Sequence, residues 1–139
     1  MIKIMAKRAQ ASFDMLLTFM IGISIILATI LYVNSAQTEY LSSYKVNAAQ
    51  NTVNKIAEAA DTIFFQGNYS KIVSTLYFPE GISDATVQGN TVMLKLRTSS
   101  GETEIYQTTK ESVDGRLPTT SGTYKISVEN MGNYVSIDY

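Results

Sequence analysis

The chain of 139 residues contains no cysteine, no histidine and no tryptophan. Without cysteine it can build neither a disulfide framework nor a thiolate metal site. Without histidine it lacks the usual general base near neutral pH and the commonest metal ligand, and a Ser-His-Asp triad is excluded. Basic charge is also in short supply. Eleven Lys and Arg against twelve Asp and Glu leave a net charge of −1, whereas nucleic-acid binding needs a basic footprint. These absences weigh against most enzyme classes, so no catalytic residue, cofactor or metal is expected. The length fits one domain, or a small domain with an appendage.

What charge there is lies unevenly. Lys3, Lys7 and Arg8 are the only charges before Asp14, and no acidic or basic residue follows until Glu39. Within that gap Met15 to Val33 reads MLLTFMIGISIILATILYV. As a helix these residues span about 28 Å, against about 30 Å for the hydrocarbon core of a bilayer. Core helices of soluble proteins seldom run so long without charge, and a membrane-inserting helix is expected. Basic residues before the span and none directly after it place the N-terminus in the cytoplasm and the rest outside. The run is longer than the apolar region of an ordinary secretory signal, and its outer end, Tyr32 to Gln37, is a poor cleavage site.

The residues at the basic end carry a resemblance. Lys7-Arg8-Ala9-Gln10-Ala11-Ser12-Phe13-Asp14, set against an apolar helix, resembles the class III signal peptide of archaeal type IV pilins. That family has a basic pair, a small residue and then Gln-x-Ser-x-Glu before its hydrophobic segment. The resemblance implies cleavage by a prepilin peptidase between Ala9 and Gln10, read through Lys7, Arg8, Ala9, Gln10 and Ser12. Gln10 then becomes the N-terminus. Where the family has Glu this chain has Asp14, a carboxylate on a stem one methylene shorter.

Beyond the apolar run, residues 34–66 contain neither Pro nor Gly. Val46, Ala49, Val53, Ile56, Ala60 and Ile63 recur at spacings of three and four, which makes one apolar stripe on a helix. The stripe suits either packing onto the chain's own domain or a coiled-coil seam. Gly67-Asn68 supplies a helix stop. The period then changes to two: Val92, Leu94 and Leu96, then Tyr124, Ile126 and Val128, then Val135, Ile137 and Tyr139 alternate with their neighbours. Gly89-Asn90 marks a hairpin, Ser99-Ser100-Gly101 and Met131-Gly132-Asn133 mark further turns, and Ile72 to Phe78 reads as an additional strand.

The fold expected is therefore α+β. A long N-terminal helix, transmembrane and then amphipathic, covers a small antiparallel sheet of four or five strands. The chain divides into a leader (1–9), a membrane or filament-core helix (10–33), its amphipathic continuation (34–67) and a β head (68–139).

The other polar groupings read as scaffold. Glu102 and Glu104 point to one face of a probable strand, and Glu111 and Asp114 beside Gly115 read as a polar loop. The nine tyrosines read mostly as edge or core members of the sheet. Asn68-Tyr69-Ser70 is an N-glycosylation acceptor sequence at the junction of helix and head.

The function expected is a structural subunit of an archaeal type IV pilus-like surface filament used for adhesion or a related role. Its partners are further copies of the chain, the prepilin peptidase, the pilus assembly machinery and, before assembly, the membrane. Gly22, Ser24, Ala28 and Thr29 are small enough for close helix approach. Asp14 at the edge of an apolar helix needs a partner in a dry filament core. The free amine of Gln10 in a neighbouring copy is suited to it, as the resemblance also implies. The alternative is a monomeric binding module held at the outer membrane face by an uncleaved helix.

Overall fold

The computed structural model describes the backbone of residues 2–139 and the side chains of residues 10–139. Lys7, Arg8 and Ala9 of the leader therefore lie outside the described side chains. Helix α1 runs from Ile2 to Gln66 and is followed by seven strands. The chain forms two compact units, residues 1–39 and Tyr40–Tyr139.

The second unit contains the end of α1 and the whole sheet. Its strands are β1 (Lys71–Phe78), β2 (Ile82–Gln88), β3 (Thr91–Thr98), β4 (Gly101–Thr108), β5 (Val113–Gly115), β6 (Gly122–Asn130) and β7 (Val135–Asp138). They form one sheet in the order β1-β6-β7-β5-β2-β3-β4, so the edges are β1 and β4. The α+β class and the long helix covering the sheet agree with the sequence. The strand number does not, since there are seven strands rather than four or five. Nor is the sheet wholly antiparallel, because β5 pairs with β7 in parallel.

The extra strands have a physical explanation. β4, which Ser99-Ser100 joins directly to β3, turns only Thr103 and Ile105 inward and so shows little apolar alternation. β5 has only three residues, too short to show alternation, and it includes Asp114 and Gly115 of the expected polar loop. That loop reading is corrected. Gly115 lies where β5 crosses β7, and a β-carbon placed there would come within 1.8 Å of the Ile137 carbonyl oxygen.

The amphipathic stripe covers its own sheet. Ala49, Val53, Ile56, Ala60 and Ile63 are buried against Leu76, Phe78, Leu94, Leu96, Ile126 and Val128, with Val46 half-buried at the margin. Fully burying a side chain the size of Ile contributes about 1.5–3 kcal/mol, so this face holds the second unit together. Thr52 is the polar member of the contact. Its hydroxyl donates to the Tyr77 carbonyl at 2.7 Å, tying α1 to the β1 edge. The helix ends where Gly67 takes φ +102°, a conformation that L side chains avoid. The tyrosines depart from half of their expected role. Tyr77 and Tyr106 do lie on edge strands, but none of the nine is buried. Tyr124, stacked edge-on against Phe78 and Tyr139, is only half-buried. A phenol hydroxyl left in contact with water needs no buried partner.

Candidate functional site

The helical segment from Gln10 to Glu39 is the feature most in need of a function. Every residue in it is exposed, including Phe13, Leu16, Phe19, Ile21, Ile25 and Leu31. Exposed apolar surface on this scale marks a membrane or an assembly contact. α1 is long and apolar enough to cross a membrane, and none of its most apolar stretch is buried.

Five hydroxyls of this segment are satisfied within the helix. Thr18 donates to the Asp14 carbonyl at 2.8 Å, Ser24 to Met20 at 2.8 Å, and Thr29 to Ile25 at 2.8 Å. Ser35 and Thr38 donate in the same way to Leu31 and Asn34. Each of these five hydroxyls thus returns its proton to the carbonyl four residues back and needs no water.

The residues singled out in the sequence take these places. Gln10, Ser12 and Asp14 are exposed on the first described turns. Among the described residues the ion pairs are Lys45–Glu80, Lys71–Glu129, Lys95–Glu104 and Arg97–Glu102, so Asp14 is in none of them. A β-carbon added to Gly22 would meet nothing within 4 Å. At 100° per residue the small residues fall on two sides of the helix. Gly22 shares a face with Thr18 and Thr29, and Ser24 shares the opposite one with Ala28 and Ser35.

In the head, Asn68 is exposed in the turn after α1, and Tyr69 takes φ +65°. The Ser70 hydroxyl is turned inward, donating to the Ile63 carbonyl at 3.2 Å and to that of Gly67. Glu102 and Glu104 share the solvent face of β4 and pair across the hairpin with Arg97 and Lys95. The hydrogen bond from Lys95 to Glu104, then the Glu104 charge, holds the Lys95 ammonium above its ordinary pKa of 10.5. Among the described residues no three acidic side chains gather as a metal site would require.

Two contacts gave no sign of themselves in the sequence. Ser42 and Ser99 share a hydrogen bond of 2.8 Å between α1 and the β3–β4 turn. Asn130, at the end of β6, donates to carbonyls at the end of α1. Both residues read locally as polar surface or turn residues, and their partners lie 57 and more residues away in the chain. No protein-family model matches the chain, and comparison with curated proteins and with solved structures gives no match.

Proposed function

We propose that the chain is a pilin-type subunit: a membrane-held precursor that loses residues 1–9 and assembles with copies of itself into a surface filament. The observation that carries this reading is the apolar segment from Gln10 to Glu39, exposed along its whole length and with the hydroxyls of Thr18, Ser24, Thr29, Ser35 and Thr38 satisfied internally. Such a segment suits lipid before assembly and a dry core of packed helices after it. Gly22 supports the second state. A glycine inside a helix costs about 1 kcal/mol relative to alanine, and nothing in the single chain requires one there. Close approach by a neighbouring helix supplies a reason. Small residues on opposite faces suit a helix with neighbours on both sides.

The leader sequence supports the processing step through its resemblance to class III signal peptides. Lys7, Arg8, Ala9, Gln10 and Ser12 are the residues proposed for peptidase recognition, and Asp14 with Gln10 for assembly. Asn68 is the proposed glycan acceptor. Surface adhesion is the proposed use of the filament.

The test is the intact mass of the protein isolated from cells, with electron microscopy of the same preparation. Loss of residues 1–9 removes three positive charges and leaves −1 − 3 = −4, and filaments are expected from such chains. Arg8→Gly and Ala9→Leu are expected to stay uncut. Chains that begin at Met1, or that are cut after Ala36, overturn the reading. In the first case the closed core of Tyr40–Tyr139 favours the second reading, a binding module held at the membrane by an uncleaved helix.

A further inference from the structure

The polarity of the two sheet edges follows from the one parallel pair. Passing from β1 to β4 through β6, β7, β5, β2 and β3, the strand direction reverses at every step except β7 to β5. An odd number of reversals leaves β4 antiparallel to β1. With β5 and β7 antiparallel, the edges would have run parallel. Two copies whose sheets run the same way therefore offer β1 of one and β4 of the next with antiparallel polarity.

The backbone groups on these edges are in phase. Asn130 N–H donates to the Ser70 carbonyl and Thr52 reaches that of Tyr77, so the even residues of β1 face β6. Lys71, Val73, Thr75 and Tyr77 direct their N–H and C=O groups outward, the Tyr77 carbonyl already accepting one bond from Thr52. On the other edge, the Thr98↔Gly101 pair closes the two-residue turn, and Arg97 N–H points away from β4 to Gly81. Glu102, Glu104, Tyr106 and Thr108 therefore carry the outward groups of β4. On both edges the same residues place their side chains on the solvent face.

We propose that copies of this chain join edge to edge, β1 of one pairing antiparallel with β4 of the next, to continue the sheet from head to head. Both strands have eight residues. Full overlap sets Lys71 opposite Thr108, Val73 opposite Tyr106, Thr75 opposite Glu104 and Tyr77 opposite Glu102, each meeting through its outward backbone groups. No like charges face one another. Lys125, which neighbours Thr75 on β6, and Lys95, which pairs with Glu104, then flank that carboxylate on both sides. Val73 and Tyr106, 55% and 64% exposed in the single chain, become a β-branched–aromatic cross-strand pair.

The β1 edge is accessible and weakly guarded. Grooves of ≈ 440 and ≈ 470 Å³ lie between it and the Asn51, Lys55 and Glu58 flank of α1. Val73, Thr75 and Tyr77 are strong strand formers, whereas protected edges carry charge or proline. An antiparallel β1–β1 contact would require the two sheets to run in opposite directions and would leave both β4 edges unpaired. The β1–β4 contact uses a different patch on each side. It therefore repeats without closing unless a rotation closes it.

The experiment uses the full-length chain in its membrane and benefits from the absence of native cysteine. Opposed residues of this kind stand about 5.5 Å apart at Cα, within disulfide range. Mild oxidation of Val73→Cys/Tyr106→Cys is expected to give dimers, trimers and larger oligomers that reducing agent dissolves. Either single variant alone is expected to stay monomeric, and the two co-expressed to stop at dimers. Oligomers absent from the double variant, or dimers formed by a single variant, overturn the proposal. Equal cross-linking of Val73→Cys/Glu102→Cys, displaced by about 13 Å along the strand, overturns the register and with it the proposal. The contact does not rest on the filament reading. Oligomers from chains with an uncut leader reject that reading and keep this one, and cleaved filaments without cross-links do the reverse.

Discussion

Asn130 at the end of β6 donates its side-chain amide to the Gly67 carbonyl at 3.2 Å, so the sheet caps the C-terminus of α1. The same amide lies 3.5 Å from the carbonyls of Ile63 and Phe64, and its oxygen accepts from Gly132 N–H at 2.8 Å. The last carbonyls of a helix have no partner within it, and here one buried side chain serves three of them. Asn130→Ala is expected to cost about 1 kcal/mol, since Ser70 still donates to the Ile63 and Gly67 carbonyls while the Phe64 carbonyl and the Gly132 N–H lose this partner. Asn130→Asp should cost more at neutral pH, since a carboxylate then faces carbonyl oxygens. That excess should shrink as pH falls and the carboxyl becomes protonated. Denaturant titrations of the full chain in detergent, at neutral and acid pH, read both effects.

The unit Tyr40–Tyr139 has its own core, and the stripe on α1 supplies one side of it. Made alone from about Asn34 onward, the fragment is expected to be soluble and folded, and monomeric at low concentration, where the edge-to-edge contact between unanchored heads dissociates. Ile56 is 1% exposed, so Ile56→Asp buries a carboxylate with no cation beside it, costs several kcal/mol and unfolds the fragment. Sedimentation and circular dichroism decide the matter. A helical oligomer that tolerates the substitution would show that the stripe serves another chain.

How much of this was legible depends on how local the signal is. The stripe from Val46 to Ile63 and the alternation in β3 and β6 each lie within one element, so periodicity alone reveals the helix, the strands and their buried faces. Gly89-Asn90 identified its hairpin for the same reason. β5 escaped notice because Val113, Asp114 and Gly115 are too few to alternate. Strand order and the parallel β5/β7 pair depend on contacts between segments far apart in sequence. The candidate helix was legible as an apolar run. Its two small-residue faces needed only the helical period, whereas the Asn130 cap and the Thr52 tie needed the fold.

Gly115 tests the parallel pair. A β-carbon there would lie 1.8 Å from the Ile137 carbonyl oxygen and 2.9 Å from its amide nitrogen. Both are backbone atoms, so no side-chain rotation relieves the clash. Gly115→Ala is expected to separate β5 from β7 and destabilise the head by more than about 2 kcal/mol. Faster amide hydrogen exchange at Val135 and Ile137, relative to Leu94 in β3, would locate the damage. Unchanged stability would mean that β5 is not held against β7.

The Lys95–Glu104 pair makes a small alkaline contribution. Glu104 raises the Lys95 pKa above 10.5, first through its hydrogen bond and then through its charge. The stabilisation is therefore complete below 10.5 and is lost as pH rises through the folded-state value. Both side chains are solvated and the effect is modest. Glu104→Gln should lower stability slightly at pH 8 and not at all once Lys95 is neutral in both proteins. Denaturation midpoints of the two proteins across that range should converge at the alkaline end.

Asp14 is expected to act in assembly rather than in the stability of the single chain. It is exposed on α1, and its described contact is through its backbone carbonyl, which accepts from Thr18. Removal of residues 1–9 takes away Lys3, Lys7 and Arg8, and leaves the Gln10 amine as the one positive group near the start of the helix. That amine lies four residues, or about 6 Å along the axis, from Asp14. A neighbouring subunit displaced by a similar distance would bring its amine to this carboxylate and fix the register of addition. The competing account needs no partner, because a carboxylate near a helix N-terminus already gains from the macrodipole. Cyclisation of Gln10 to pyroglutamate would remove the amine charge and leave Asp14 to accept hydrogen bonds or take up a proton. Asp14→Asn keeps the shape and loses the charge, and Asp14→Ala loses both. With cleavage first verified by mass, loss of filaments in both variants supports the assembly contact. Normal filaments from Asp14→Ala reject it, leaving Asp14 as a helix-start residue or part of what the peptidase reads.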